Sequence, residues 1–405
     1  MRRVGNWAGG LLLAVLALVV AEGALQLLSR RVRSLDTLLA PSWALTLYIP
    51  DSVLGLRGNP KWFDHDTWGY RNPSVVSKAD VVVLGDSHSY GIGVARSETW
   101  PLLLGRGQVS YNMSFGGWGP GQGYLELNRA LTLHPGLVIY GFYFGNDLVD
   151  AFEIASRRPE LRRFIPLPLA DTTAALESRE PIARRAQQLF ALSTGPDQES
   201  QGDTLWSLRR FLSDHSKLYA LARALRNAVG RSERTPALLS RDMDLALARI
   251  SAQQRRSILA YRGPEWKGLL TPAYRNLVID DRDPRVRAGE EATEGMLAEM
   301  DSLCRGQGVR FLVVLLPTKE SVFAPRIPDQ DRSASLDSLV RNEMRTRDEL
   351  TSFLARRRIA YLDVLPDLQA ATAQPYFQDA DGHPNEAGHR VIAEAVLRRM
   401  RTLKR

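Results

Sequence analysis

The stretch from Ala79 to Gly91 constrains the fold of this chain more than any other part of the sequence. It contains four consecutive apolar residues, Val81 to Leu84, three of them β-branched, which continue directly into Gly-Asp-Ser. An unbroken apolar run that ends at a glycine is typical of a strand buried on both faces, as in a parallel sheet. Ser87 would then lie at the carboxyl end of the strand, where open α/β sheets bind their ligands.

A serine hydroxyl in that position can act as a nucleophile, but it is weak unless a base takes its proton. The chain should therefore contain a histidine with an acidic partner, and hydrogen-bond donors for an oxyanion. Candidates follow in order along the chain. They are Asn112 with Gly117, then Gly145-Asn146-Asp147 after the apolar run 137–144, and finally Asp381-Gly382-His383-Pro384-Asn385 near the C-terminus.

This set of blocks resembles the SGNH (GDSL-type) hydrolase superfamily, which is named after the serine, glycine, asparagine and histidine of its four blocks. Gly-Asp-Ser at 85–87, a glycine five residues after Asn112, Gly-Asn-Asp at 145–147 and Asp-x-His-Pro-Asn at 381–385 match in sequence and in order. One tripeptide would be weak evidence, whereas four blocks in order are strong. The resemblance covers about residues 80–150 and 308–397, and it is greatest to the membrane-anchored proteins of exopolysaccharide O-acetylation.

The resemblance implies an α/β fold of flavodoxin-like type, in which a five-stranded parallel sheet of order 2-1-3-4-5 lies between two layers of helices. The alternation of strands and helices along the chain favours the same architecture. We predict later strands at 309–315 and 359–362, and helices at 288–307, 341–357 and 386–400.

We divide the chain into three parts. Residues 1–33 form a membrane anchor or signal segment, residues 34–150 and 300–405 the hydrolase domain, and residues 151–299 a largely helical and loop insertion, for which a lid is one interpretation. Within this insertion, helical spacing of apolar residues predicts a helix at 206–229. We favour packing of this helix on the core over a role as a lid or a membrane-lying helix, because an apolar stripe usually marks burial.

The segment from Trp7 to Leu28 is apolar except for Glu22 and Gln26, and it is just long enough to cross a hydrocarbon core of about 30 Å. Arginines flank it on both sides, which disfavours a buried core helix. A signal anchor and a cleaved signal peptide both remain open. The arginine count does not favour an outward catalytic domain, but the anchored SGNH proteins that this chain resembles have one. We therefore expect a single-pass cell-membrane protein with a periplasmic or otherwise extracytoplasmic domain.

The resemblance also implies the roles of the site residues. Ser87 is the expected nucleophile, His383 the base and Asp381 the acid that orients the imidazole. Many SGNH enzymes place this acid three residues before the histidine, but that position here is Ala380, so Asp379 remains the alternative to Asp381.

The expected oxyanion hole consists of the backbone N–H groups of Ser87 and Gly117 and the side-chain amide of Asn146. His88 is the wrong base, because neighbouring side chains point apart. We interpret Lys319, which follows the fourth strand, as a surface loop residue.

Composition excludes several other classes of function. The net charge of +8 comes almost entirely from scattered arginines without a nucleic-acid motif, so we expect no nucleic-acid partner. Cys304 is the only cysteine, which rules out an intramolecular disulfide and a cysteine-based metal site. No cofactor motif is present, and the expected chemistry needs no metal.

The sequence therefore predicts a serine esterase or O-acyltransferase that acts on ester-linked acyl groups, with acetyl favoured, of an extracytoplasmic glycan. Its expected partners are the acylated glycan or another ester, the membrane through residues 7–28, and a membrane protein of polysaccharide export or acyl donation. The alternatives are a lipase or lysophospholipase, which would need an apolar groove, and a non-catalytic component of polysaccharide assembly.

Overall fold

The computed structural model describes residues 2–32, 46–105, 107–166, 216–222, 241–250 and 255–403, together with positions 35 and 39. The chain divides into two compact units. The first contains Met1–Gly69 and Gly195–Arg234, and the second contains Tyr70–Thr194 and Thr235–Arg405. The predicted division at residues 33, 150 and 300 stays a prediction.

The first unit contains the N-terminal helix α1 (Arg2–Arg31) and an antiparallel pair of strands, β1 (Tyr48–Asp51) and β2 (Gly55–Gly58). Within α1, Leu13–Arg31 has a mean hydropathy of 1.7 and is long and apolar enough to cross a membrane. By length and composition it fits either a membrane anchor or a signal peptide.

Glu22 of α1 has hydrogen-bond donors from a distant part of the same unit. Its carboxylate accepts from the backbone N–H groups of Lys217 at 2.7 Å and Leu218 at 2.9 Å, where a short helical segment, residues 217–222, begins. This segment lies within the helix predicted at 206–229. Ser216 before it is not helical, and residues 206–215 and 223–229 lie outside the described ones.

The second unit is built on a five-stranded sheet in which every neighbouring pair of strands is parallel. Its order is β4-β3-β5-β8-β9, which is 2-1-3-4-5 in the order of the chain and confirms the predicted flavodoxin-like topology. A separate antiparallel pair, β6 and β7, lies in the middle of the sequence. The strands are β3 (Val81–Gly85), β4 (Ser110–Asn112), β5 (Leu137–Tyr143), β6 (Leu259–Arg262), β7 (Lys267–Leu270), β8 (Arg310–Leu316) and β9 (Ala360–Asp363).

The helices of the second unit lie between and after these strands. They are α2 (Ser87–Tyr90), α3 (Trp100–Leu103), α4 (Pro120–Leu131), α5 (Asp147–Arg157), α6 (Met243–Arg249), α7 (Pro272–Leu277), α8 (Pro284–Gly306), α9 (Lys319–Phe323), α10 (Ala334–Arg357), α11 (Leu365–Gln369) and α12 (Glu386–Leu403). Side-chain caps set two of the starts, because Asp283 accepts from the N–H of Arg285 before α8 and Ser333 from that of Leu336 before α10.

Both faces of the sheet are covered, as expected for parallel strands that are apolar throughout. On one face Val83 and Leu312 belong to a core cluster with Ile392 and Val396 of α12. On the other face Tyr140 packs against Gly123 of α4, so closely that a side chain at position 123 would collide with the Tyr140 ring. The sheet therefore forms the middle of three layers, and the loops at the carboxyl ends of β3 and β5 meet at one edge.

Candidate active site

Ser87 is the first residue of α2, immediately beyond the end of β3. The preceding residue, Asp86, is completely buried and caps this short helix, since its Oδ1 accepts from the N–H of His88 at 2.9 Å. Gly91 ends the helix in a left-handed conformation with φ 85°, which favours glycine. This tight strand–turn–helix places the Ser87 hydroxyl at the edge of the sheet.

A chain of hydrogen bonds joins Ser87 to two residues almost three hundred positions away. Nε2 of His383 lies 2.9 Å from Oγ of Ser87, and Nδ1 of the same ring lies 2.5 Å from Oδ1 of Asp381. The backbone N–H of His383 donates to that same carboxylate oxygen at 3.0 Å. The structure thus brings together the three side chains that we predicted as nucleophile, base and acid.

The Asp381 carboxylate is charged in this setting. Burial raises its pKa, but the charge and hydrogen bond of His383, together with those of Arg241, outweigh burial and hold the pKa well below its usual range. The side chain of Asp381 is 6% exposed and that of His383 is 19% exposed. A buried carboxylate is therefore paired with an imidazole that a ligand can reach.

Asp379, the alternative acid, does not contact the imidazole. Its Oδ1 accepts from the backbone N–H of Asp381 at 3.0 Å and its Oδ2 from that of Arg241 at 2.6 Å. Burial raises the pKa of Asp379, and these N–H donors oppose the effect. Asp379 thus shapes the turn that carries Asp381.

His88 supports this turn from the side of α2. Its Nε2 lies 3.1 Å from the carbonyl oxygen of Gly382, and its ring stacks on Tyr143 with centroids 3.5 Å apart. The centroid of the His383 ring is 4.7 Å away. Burial lowers the pKa of His88, which favours the neutral form that donates to Gly382. His88 bonds to the loop and not to the Ser87 hydroxyl.

The predicted glycine donor, Gly117, lies in a turn next to Ser87. A Cβ on Gly116 would be 3.8 Å from the Cβ of Ser87, and Gly117 has φ 78°. Asn112 shapes this turn from within the protein, since its side chain accepts from the N–H of Ser114 at 3.0 Å and donates to the carbonyl of Ser89 at 2.9 Å. The spacing between Asn112 and Gly117 therefore has a structural cause.

Asn146 lies at the start of α5, just beyond the end of β5. Its side-chain amide donates to the carboxyl group of Asp150, one helical turn later, which leaves one of its two amide hydrogens for a ligand. Its Oδ1 is buried without a hydrogen-bond partner among the described residues. Burial raises the pKa of Asp150 to about 8.

Asp147 has a structural position behind the site. Its buried carboxyl group accepts from the hydroxyl of Tyr140 at 3.0 Å and from the N–H of Tyr143 at 3.1 Å. Burial, followed by the charge of Asp86, raises its pKa well above the usual range.

Our interpretation of Lys319 as a surface loop residue is wrong. Its side chain is completely enclosed, and Nζ lies 2.6 Å from the carbonyl oxygens of both Phe377 and Asp379 and 3.3 Å from that of Asp381. Burial lowers its pKa to about 8. Three carbonyls suit the three hydrogens of an ammonium group. Lys319 thus stabilises the loop that contains Asp381 through hydrogen bonds to its backbone carbonyls.

Two arginines near the site were not found by sequence reasoning. Arg241 forms an ion pair with Asp381, and Arg275 lies so close to Gly382 that a side chain there would collide with its guanidinium. Nη1 of Arg275 also lies 3.4 Å from the carbonyl oxygen of Gly145. Neither residue belongs to a recognisable block, and in a chain rich in arginine neither stands out.

Residues 278–405 match the model of a family described as SGNH hydrolase-like domain, acetyltransferase AlgX. The match includes β8, β9, α12 and the loop with Asp381 and His383, and so contains the last of the four blocks. Over these residues the chain is similar to an SGNH hydrolase-like domain. Ser87, Gly117 and Asn146 lie outside the matched residues.

No curated protein matches the chain. Among solved structures, it is similar to a GDSL-like lipase from Bacteroides thetaiotaomicron, at 10% identity and a TM-score of 0.35, over 80% of this chain and 88% of that one. It is also similar to an extracellular lipase from Streptomyces rimosus, at 12% identity and a TM-score of 0.29, over 80% of this chain and 99% of that one. The similarity to the SGNH family therefore rests on the match of residues 278–405 and not on these distant likenesses.

Proposed function

We propose that this protein is a serine esterase or O-acyltransferase that forms a covalent acyl-enzyme on Ser87. The observation that carries the proposal is the continuous chain of hydrogen bonds from Oγ of Ser87 through the ring of His383 to Asp381. An ion-paired carboxylate, a partly exposed imidazole and a hydroxyl in this order are the parts of a nucleophilic triad.

In the first half of the reaction, Nε2 of His383 takes the proton of Ser87 while Oγ attacks the ester carbonyl. The charged Asp381 stabilises the imidazolium that forms. The imidazolium then returns the proton to the alcohol that leaves, and the acyl group remains on Oγ.

The tetrahedral intermediate carries a negative oxygen that needs donors. We assign the backbone N–H groups of Ser87 and Gly117 and the free amide hydrogen of Asn146 to this role. Each such donor typically stabilises the transition state by about 3 kcal/mol.

In the second half, His383 removes a proton from the acceptor, which attacks the acyl carbonyl. The imidazolium then returns this proton to Oγ of Ser87 as the bond between Oγ and the acyl group breaks. Water as acceptor gives an esterase, and a sugar hydroxyl gives an O-acyltransferase. We favour acetyl groups on an extracytoplasmic glycan. The matched family is described as an acetyltransferase, and α1 has the length and composition of a membrane anchor or signal peptide.

Labelling with a fluorophosphonate probe tests the nucleophile. Full-length protein should be labelled at Ser87, as found by peptide mapping, while Ser87→Ala abolishes both labelling and p-nitrophenyl acetate hydrolysis. Ser77→Ala is the matched control, because this serine is exposed and outside the site. Labelling at another residue, with activity intact in Ser87→Ala, would overturn the proposal.

A series of p-nitrophenyl esters of increasing chain length tests the acyl group. We expect acetyl to be preferred, and added oligosaccharide to accept the acyl group if the protein is a transferase. A preference for long chains would instead assign the protein to the lipases. Absence of any acyl-enzyme would favour a non-catalytic role.

A further inference from the structure

Asp381 has two carboxylate oxygens, and both are engaged. Oδ1 faces His383, whereas Oδ2 forms an ion pair with Nη1 of Arg241. Arg241 comes from the middle of the chain, 140 residues before Asp381. Its guanidinium stacks on the ring of Phe377 at 3.8 Å, which fixes the plane from which it donates.

The backbone of Arg241 is held as closely as its side chain. Its N–H donates to Oδ2 of Asp379 at 2.6 Å, and its φ of 63° lies in the left-handed region that residues with side chains seldom adopt. Such a conformation persists where the surroundings require it, often at functional sites. The next residue, Asp242, caps α6 by accepting from the N–H groups of Asp244 and Leu245.

We propose that Arg241 is a positioning residue of the acyl-transfer site, which orients the Asp381 carboxylate for His383. This inference rests on the proposed function. Without a partner on Oδ2 the carboxylate could rotate away from the ring. Its uncompensated negative charge would also favour the protonated imidazole, which cannot accept the proton of Ser87.

An ordinary ion pair at the surface would contribute little, because solvent screens it. The Arg241 side chain is itself 38% exposed, but its partner Asp381 is only 6% exposed and lies against the imidazole. Solvent therefore screens the ion pair only weakly on the side of Asp381, and the interaction of Arg241 with this carboxylate affects His383.

Other charged or titratable groups lie near Asp381 and His383, on the elements that pack around these two residues. None of these groups is changed in the variants described below. They are Asp86 before α2, His88 of α2, Arg275 of α7, Lys319 and Glu320 of α9 and His389 of α12. Asp379 lies on the same loop as Asp381.

The test compares Arg241→Gln with Arg241→Lys and with Arg262→Gln. Arg262 is a matched control, since it pairs with Asp244 at the surface. The rate of fluorophosphonate labelling of Ser87 is measured against pH in full-length protein. We expect Arg241→Gln to be slowed about tenfold or more, as for loss of a hydrogen bond to a charged group. Its acid limb should move to higher pH, because removal of a positive charge favours the imidazolium.

Arg241→Lys keeps the charge and should keep the acid limb in place, with a smaller loss of rate. Arg262→Gln should behave like the unchanged protein. A normal rate in Arg241→Gln, or a loss of rate with an unmoved acid limb, would overturn the positioning role and leave a purely structural one.

A second measurement does not depend on catalysis. In a Ser87→Ala background, NMR titration of the His383 ring, assigned with His383→Asn, should move to higher pH when Arg241 is replaced by glutamine. An unmoved titration contradicts the inference even if Ser87 proves to be the nucleophile. A moved titration supports the inference even if no acyl-enzyme is found, which would count against the proposed function alone.

Discussion

Nδ1 of His383 lies 2.5 Å from Oδ1 of Asp381, although a single glycine separates the two residues. The turn closes on itself, because the backbone N–H of His383 also donates to this oxygen. A Cβ on Gly382 would collide with Nη2 of Arg275, so a glycine at this position leaves room for the guanidinium. The turn that joins acid and base thus has an arginine packed against it.

Asp381→Asn should reduce esterase turnover by about 10⁴, as loss of the acid does in a protease triad, with the fold intact. Asp379→Asn should cost far less, because Asp379 does not contact the imidazole and an asparagine oxygen can still accept the N–H of Asp381, although the N–H of Arg241 loses its acceptor. The comparison is made by ester kinetics, with thermal melts to match stability. A crippled Asp379→Asn beside a mild Asp381→Asn would reverse the assignment of the acid.

Lys319→Met should loosen the loop at 377–381, because three backbone carbonyls lose their donor at once. Each buried acceptor left without a partner costs about 1–3 kcal/mol, so the melting temperature should fall by several degrees and ester turnover should fall with it. Lys267→Met is the matched control, since the Lys267 side chain lies at the surface, with Nζ 3.8 Å from Oδ2 of Asp244. Unchanged turnover in Lys319→Met would remove Lys319 from the support of the site.

Asp150→Asn should stabilise the protein at neutral pH. Burial raises the pKa of Asp150 from 3.8 to about 8, so between these values the folded state holds a proton that the unfolded state has lost. The free energy of unfolding therefore falls as pH rises through this window. Asparagine removes the effect, and the gain in melting temperature over the unchanged protein should be larger at pH near 8 than near 4.

The exposed Asp348→Asn serves as control for the Asp150 variant and should show no such pH dependence. An equal gain at both pH values would show that Asp150 is ionised in the folded protein.

Asn146→Ala should lower ester turnover by about 10²–10³ if the Asn146 amide donates to the oxyanion.

Fusions after Arg405 test the orientation of the domain. An alkaline phosphatase fusion should be active and a green fluorescent fusion dark, because the domain is proposed to lie outside the cytoplasm. The reverse pattern would show that the domain faces the cytoplasm, and the count of arginines on either side of Trp7 to Leu28 would then predict the orientation better than the family resemblance does. The intact mass of the mature protein separates a retained anchor from a cleaved signal peptide.

The elements that the sequence predicted well are those whose signal lies in neighbouring residues. The apolar run before Gly85 defines a buried strand whatever surrounds it, and Asn385 before α12 is a local cap whose side chain accepts from the N–H of Gly388. The alternation of such strands and helices predicted a parallel sheet covered by helices on both faces, whereas the strand order 2-1-3-4-5 was implied by the resemblance to the SGNH superfamily.

The site was predictable only where its residues belong to blocks, as Ser87, Asn146 and His383 do. The tertiary structure decided which of two aspartates faces His383, that Lys319 is buried, and that Arg241 pairs with Asp381. A lysine or arginine looks the same in a sequence whether water or protein surrounds it. Its role depends on desolvation and on partners 60 to 140 residues away, which exist only once the chain has folded.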